Sequence, residues 1–259
     1  MNPLRRLSIA AALAVAIPAA ASPLRAAAPQ AEKFIAGRSL DGRPIECQVY
    51  GDGADVLWLI ATIHGNEAAG TPLVEKFVEW LEKNPRELDG RRVVIIPVAN
   101  PDGFAENIRH NNNGVDLNRN FPSGNFDAEV KVHGATPLSE PESRALMRVL
   151  AQYFPDRVVT IHQPLDCMDW DGPRSKAMAE AMAAKCRLKV DQVGSRPGSL
   201  GSFVGLTLGK PIVTMELPED AGMDGPTLWK EYGESLIAAL RYQDERSQPA
   251  DSANDDEQE

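Results

Sequence analysis

Val56-Leu57-Trp58-Leu59-Ile60-Ala61-Thr62-Ile63 is an almost unbroken apolar run, and it ends directly on His64-Gly65-Asn66-Glu67. A strand with one wet face alternates apolar and polar residues, whereas a strand buried on both faces does not. The run therefore predicts a central strand in a sheet covered on both sides. Downstream, Leu73, Val74, Phe77, Val78 and Leu81 recur at helical spacing and predict one apolar stripe of a helix. Residues 93–98 read as a second buried strand, residues 158–161 and 212–215 as two more, and residues 175–186 as a helix. A last helix starts near Pro226 and should bury Leu228, Trp229, Tyr232 and Leu236. Upstream, Phe34-Ile35 and residues 45–50 flank Asp41-Gly42 as an opening hairpin. Ser139 with Glu142 has the pattern of a capping box for a helix carrying Leu146, Val149, Leu150 and Tyr153. Residues 99–138 are long, polar and rich in Asn, Gly and Pro, and a loop of that length inside a compact domain usually serves function. The expected fold class is α/β: a mixed, mostly parallel twisted sheet with helices on both faces.

The ends of the chain read differently from this middle. Arg5-Arg6 followed by a short Ala-rich apolar stretch has the pattern of an export signal within residues 1–28, too short for a confident membrane span. Candidate small-residue cleavage sites lie at Ala19–Ala21 and Ala26–Ala28. Residues 244–259 are acidic, lack aromatics and read as a disordered tail, leaving 29–243 as one domain. A net charge of −10 argues against nucleic-acid binding, which draws most of its affinity from basic patches. No stable membrane insertion is expected once the signal is cleaved. Cys47, Cys167 and Cys186 form no C-x-x-C pair and suggest neither a disulfide framework nor a thiolate metal site.

Polar residues cluster where the predicted strands end. His64 and Glu67 follow the first buried strand, His162 follows residues 158–161, and Glu216 follows residues 212–215. In open α/β sheets, sites form beyond the carboxyl ends of the strands. Two His and one carboxylate make a catalytic zinc set with a position left open for water, and a fourth group can then act as general base. Each element alone is weak: H-x-x-E pairs arise by chance, a strand-end His can serve as a hydrogen-bonding residue, and Glu216 can be a helix cap or a Lys partner. Their co-location at three strand ends favours the metal reading.

Three motifs then occur in order: His64-Gly65-Asn66-Glu67, Asn100-Pro101-Asp102-Gly103, and Gly114-Val115-Asp116-Leu117-Asn118-Arg119-Asn120-Phe121-Pro122. With the later His162 and Glu216, they resemble the carboxypeptidase A family of zinc peptidases over about residues 33 to 240. The resemblance implies one zinc per chain held by His64, Glu67 and His162. It implies that Glu216 activates the attacking water and later protonates the leaving amine, and that Arg109 polarises the scissile carbonyl. Asn118 and Arg119 would grip the substrate's terminal carboxylate, for which a planar guanidinium fork is suited. Asp116 would orient the first zinc histidine from behind. His110 and His133 are expected to decorate the site loop rather than bind metal.

One departure from the digestive members of that family is informative. They carry a flap tyrosine some twenty residues before the catalytic glutamate, whereas residues 190–215 here contain no Tyr. Gly194-Ser195-Arg196-Pro197-Gly198-Ser199-Leu200-Gly201-Ser202-Phe203, with Ile161-His162-Gln163-Pro164-Leu165 and Met215-Glu216-Leu217-Pro218, is similar to the murein tripeptide amidase branch. That similarity implies a peptide or muropeptide substrate cut between γ-D-glutamate and meso-diaminopimelate. Together with the export signal it suggests a periplasmic or secreted enzyme. Arg196 and Asp166 are candidates to bind the distal end of the leaving residue. The competing readings are a general metallocarboxypeptidase or N-acyl amino acid deacylase on the same fold, and a non-catalytic wall-binding module.

Overall fold

The computed structural model describes residues 31–244. Its elements run β1 (Glu32–Arg38), β2 (Pro44–Tyr50), β3 (Asp55–Ala61), α1 (Gly70–Lys83), β4 (Arg91–Ile96), α2 (Pro101–Glu106) and α3 (Pro141–Gln152). Then follow β5 (Arg157–His162), β6 (Leu165–Asp171), α4 (Lys176–Ala183), β7 (Lys189–Val190), β8 (Ile212–Pro218) and α5 (Gly225–Arg241). The strands form one sheet in the order β1-β2-β4-β3-β5-β8-β6-β7. Its centre, β4-β3-β5-β8, is parallel. Antiparallel pairs flank that centre at β1-β2, β2-β4 and β6-β8. The sheet is thus mixed with a parallel heart, as expected.

The unbroken apolar run of β3 is explained by what covers it. Leu57, Leu59 and Ala61 point into a core shared with Leu73 and Phe77 of α1, Met178 of α4 and Leu236 of α5. Val56, Trp58 and Ile60 point the other way, against Ala145, Leu146 and Val149 of α3. Because side chains alternate along a strand, both sets must be apolar when both faces are covered. The Trp58 indole N–H is satisfied by donating to the Tyr153 carbonyl at 2.8 Å.

This arrangement also positions the site. α1 carries the chain from β3 to β4 on one flank, while α3, on the opposite face, carries it from β4 to β5 on the other flank. The winding reverses at β3, and at such a point the strand ends splay to open a crevice.

Several local expectations need correction. Ser139 does not cap α3: the helix starts at Pro141, and the Ser139 hydroxyl donates to Glu140 Oε1 at 2.8 Å. Glu142 instead accepts the Leu40 N–H at 3.2 Å, so it ties the β1–β2 turn to the helix. The long loop is not structureless, because it holds α2 and short turns at Leu117–Arg119 and Lys131–His133. β6 gives no clear strand signal in the sequence, since its alternating Asp residues look like a surface segment. Asp244, assigned to the tail, is bound by Arg174 at 2.6 Å. The export signal and the rest of the acidic tail lie outside the described residues. Cys47 and Cys167 are buried, and burial pushes both thiols up to about 12. Among the described residues, no helix is long and apolar enough to cross a membrane.

Candidate metal centre and substrate cleft

Beyond β3 the backbone turns sharply. Thr62 adopts a positive φ of 51°, and its hydroxyl lies 2.8 Å from that of Thr71. The Glu67 N–H then donates to the His64 carbonyl at 3.1 Å, closing a turn that sets the two side chains together. Gly65 is required there, because a Cβ would lie 2.0 Å from the Gly103 carbonyl carbon. From the adjacent strand, β5 delivers His162 at its last position.

The three side chains converge on one point. His64 Nδ1 lies 2.8 Å and His162 Nδ1 2.7 Å from the same oxygen, Glu67 Oε2, and the two Nδ1 atoms lie 3.1 Å apart. Two imidazole N–H groups cannot both point into that space, which suits lone-pair donors around a cation. Tetrahedral zinc bonds of about 2.0–2.2 Å put neighbouring ligand atoms roughly 3.3 Å apart, so small side-chain shifts admit the ion. Among the described residues this is the one group of three His, Cys, Asp or Glu side chains so arranged. The donor set fits zinc.

The surroundings hold these donors in place. Asp116 Oδ1 lies 3.0 Å from His64 Nε2, on the far side of the ring. Arg109 donates from Nη1 to Glu67 Oε1 at 2.7 Å and from Nε to Asp116 Oδ2 at 3.1 Å. Arg109 thereby occupies the second oxygen of Glu67 and leaves Oε2 facing the histidines. Burial opposes ionisation of Glu67, but hydrogen bonds with His162 and His64 hold it well below the usual carboxylate range. Burial likewise opposes charge on Asp116, and the His64 contact with the nearby Arg109 and Arg119 charges holds it well below that range.

A cleft of about 490 Å³ opens over this cluster, a size suited to a small peptide end. Glu216 lines it from β8, in register with His162, and burial pushes its carboxyl up. Arg119 and Asn118 line it as well. Asn118 Oδ1 accepts the Leu200 N–H at 2.9 Å, fixing that amide. Arg119 donates to the Asn118 carbonyl at 2.5 Å and makes no ion pair among the described residues, although burial disfavours its charge. The tyrosine-free loop is locked to this wall: the Phe121 N–H donates to the Gly198 carbonyl at 2.9 Å, and a Cβ on Gly198 would lie 2.0 Å from the Arg119 carbonyl oxygen.

Of the other residues singled out, Arg196 and His133 line the cleft, whereas His110 does not. Asp166 corrects an expectation. It is exposed and absent from the cleft wall. The strand alternates, so Asp169 and Asp171 face the cleft while Met168 and Trp170 face the core beneath α4 and α5. The pattern Cys167-Met168-Asp169-Trp170-Asp171 carried that signal, but only once the segment is recognised as a strand.

Comparison with known proteins agrees with this geometry. The zinc carboxypeptidase family model matches residues 19–164, which include His64, Glu67, Arg109, Asn118, Arg119 and His162. Murein peptide amidase A of Escherichia coli K12 is 33% identical over 177 residues, spanning 62% of this chain and 70% of that protein. The crystal structure of murein-tripeptide amidase MpaA from E. coli O157 superposes with a TM-score of 0.60 at 26% identity, covering 82% of this chain and 92% of that one. Carboxypeptidase A from Helicoverpa armigera shares the fold, with a TM-score of 0.66 at 20% identity over 81% of this chain and 68% of its own.

Proposed function

The chain belongs to the zinc carboxypeptidase family and is a metal-dependent carboxypeptidase or amidase; from that premise we propose that it is exported and releases meso-diaminopimelate from γ-D-glutamyl peptides of the cell wall. The observation that carries the reading is a single cleft lined by the metal donor set, a buried carboxyl at Glu216 and an unpaired Arg119. A binding module has no need of that combination. Similarity to the E. coli murein peptide amidase and the tyrosine-free loop at Gly194–Phe203 support the wall-peptide substrate. The Arg5-Arg6 and Ala-rich leader supports export.

In this reading His64, Glu67 and His162 would hold one zinc, which would supply Lewis acidity for an amide carbonyl and for water near neutral pH. Arg119 and Asn118 bind the terminal carboxylate and so set which amide lies over the donor set. A half-buried guanidinium with no ion pair among the described residues gains most from a bidentate anion. Glu216 takes the proton of the attacking water at its carboxylate and returns it to the leaving nitrogen. Its raised pKa brings it nearer the working pH, where a general base is most effective. Arg109 keeps two of its donors on Glu67 and Asp116 and presents its remaining edge to the carbonyl oxygen as charge develops.

The test is hydrolysis of L-Ala-γ-D-Glu-meso-diaminopimelate against ordinary peptides ending in Phe, Lys or Glu, with and without a zinc chelator. Chelator-sensitive turnover favouring the murein tripeptide is expected. A preference for ordinary L-peptides overturns the substrate and leaves the family untouched.

A further inference from the structure

Asp169 and Asp171 stand on the cleft floor at consecutive same-face positions of β6. They are 7% and 5% exposed, and neither makes an ion pair among the described residues. Isolated buried carboxylates are strongly unfavourable unless something compensates them. The internal contacts are partial. Asp169 Oδ1 accepts N–H groups from Trp170 at 2.9 Å and Val193 at 2.8 Å. Asp171 Oδ1 accepts the Ser195 hydroxyl. No hydrogen bond among the described residues uses the second oxygen of either residue.

The second oxygen of Asp171 packs against the bare Gly201 backbone, where a Cβ would lie 1.9 Å from Oδ2. Across the sheet, Asp169 pairs in register with Thr214 of β8, whose side chain also lines the cleft. Arg109, Arg119 and Arg196 line the same cleft, as do the acids Glu67, Asp127 and Glu216.

We infer that Asp169 and Asp171 form a subsite for an ammonium group carried on the side chain of the leaving residue. A cation arriving there supplies the compensation that the protein does not. Burial that pushes Asp169 up to about 6, and Asp171 up as well, is the electrostatic counterpart of that missing partner. The identity of the ammonium rests on the wall-peptide reading: with one carboxylate of diaminopimelate on Arg119, the far end carries an amine and a second carboxylate. A side-chain ammonium of another leaving residue, such as lysine, meets the same chemistry.

The test compares kcat/KM for the murein tripeptide with that for its 2-aminopimelate analogue, which lacks only the distal amine, in wild type, Asp169→Asn and Asp171→Asn. A parallel pair compares peptides ending in Lys and in norleucine. Wild type should favour the amine-bearing member by about 10²-fold or more, because a site built to pair a polar group rejects analogues lacking it. Both variants should bring that ratio toward one. No preference in wild type for either pair, or a preference that survives both substitutions, overturns the subsite. A wild type that ignores the tripeptide but prefers Lys over norleucine, with the preference lost in the variants, sinks the murein reading and keeps the subsite. Inhibition of wild type by free diaminopimelate against free 2-aminopimelate needs no variant, and equal inhibition also overturns the inference.

Discussion

Two pairs of buried carboxylates lie on one sheet, and their chemistry is opposite. At the metal corner, Glu67 and Asp116 are wrapped by His64, His162 and Arg109, and all three contacts hold them ionised well below the usual range. On the cleft floor, Asp169 and Asp171 are equally buried, have no cation beside them and are pushed up. Burial alone raises a carboxyl pKa in both places; the neighbours decide the net sign. A saturated pair is a fitting, organised before any ligand arrives. An unsaturated pair is a receptor, stable only because folding elsewhere offsets it. Glu216 stands between the two: His162 and His64 pull its pKa down, while burial and Glu67 push it up and win.

The largest expected effect tests that boundary. Glu216→Gln should retain zinc by metal analysis and lose about 10²–10⁴-fold in turnover, the usual worth of a general base. Near-normal turnover removes Glu216 from the chemistry and with it the division of the cleft into holding and reacting parts. A smaller effect tests the saturated corner. Asp116→Asn should weaken zinc about 10–100-fold in chelator competition, as loss of a carboxylate behind a ligating His does. Unchanged zinc affinity means that the His64–Asp116 contact organises nothing.

The smallest effect tests the floor, and its sign is the informative part. Asp169 binds its proton more tightly folded than unfolded, since burial lifts it from 3.8 to about 6. Ionised Asp169 therefore destabilises the fold above about pH 6, and the effect vanishes below about pH 4, where both states are protonated. Asp171 and Glu216 contribute to the rise, and the Val193 and Trp170 N–H groups oppose it. Asp169→Asn should stabilise the protein by about 1–2 kcal/mol at pH 7, less than the full linkage because Asn accepts those N–H bonds more weakly. The gain should fade in thermal melts toward pH 4. Destabilisation at pH 7 contradicts the contrast between the two pairs.

Much of the molecule was legible because its signals are local. The unbroken β3 run and the helical stripe of α1 announce their burial through spacing alone. The H-G-N-E turn is a local event as well, since Gly65 is required by one close backbone approach. The capping box failed because Pro141 could start the helix without it, and Glu142 was claimed by Leu40 from a strand far off in sequence. β6 failed for a related reason. Its acids look solvated until β8 pairs with it and the loop from Gly194 closes over the same face.

By itself, the sequence determined that a two-faced sheet would form and that His64, Glu67 and His162 would stand at or just beyond strand ends, with Glu216 inside β8 close to its end, because period and run length are properties of neighbouring residues. Only the tertiary structure decided which acids would be neutralised by cations and which left bare. Asp116 reached His64 and Arg109 through a loop, whereas Asp166, at a left-handed kink with φ of 52°, stays exposed and Asp169, three residues on, is buried against the cleft. Charge compensation depends on distances across the fold, and no count along the chain contains them.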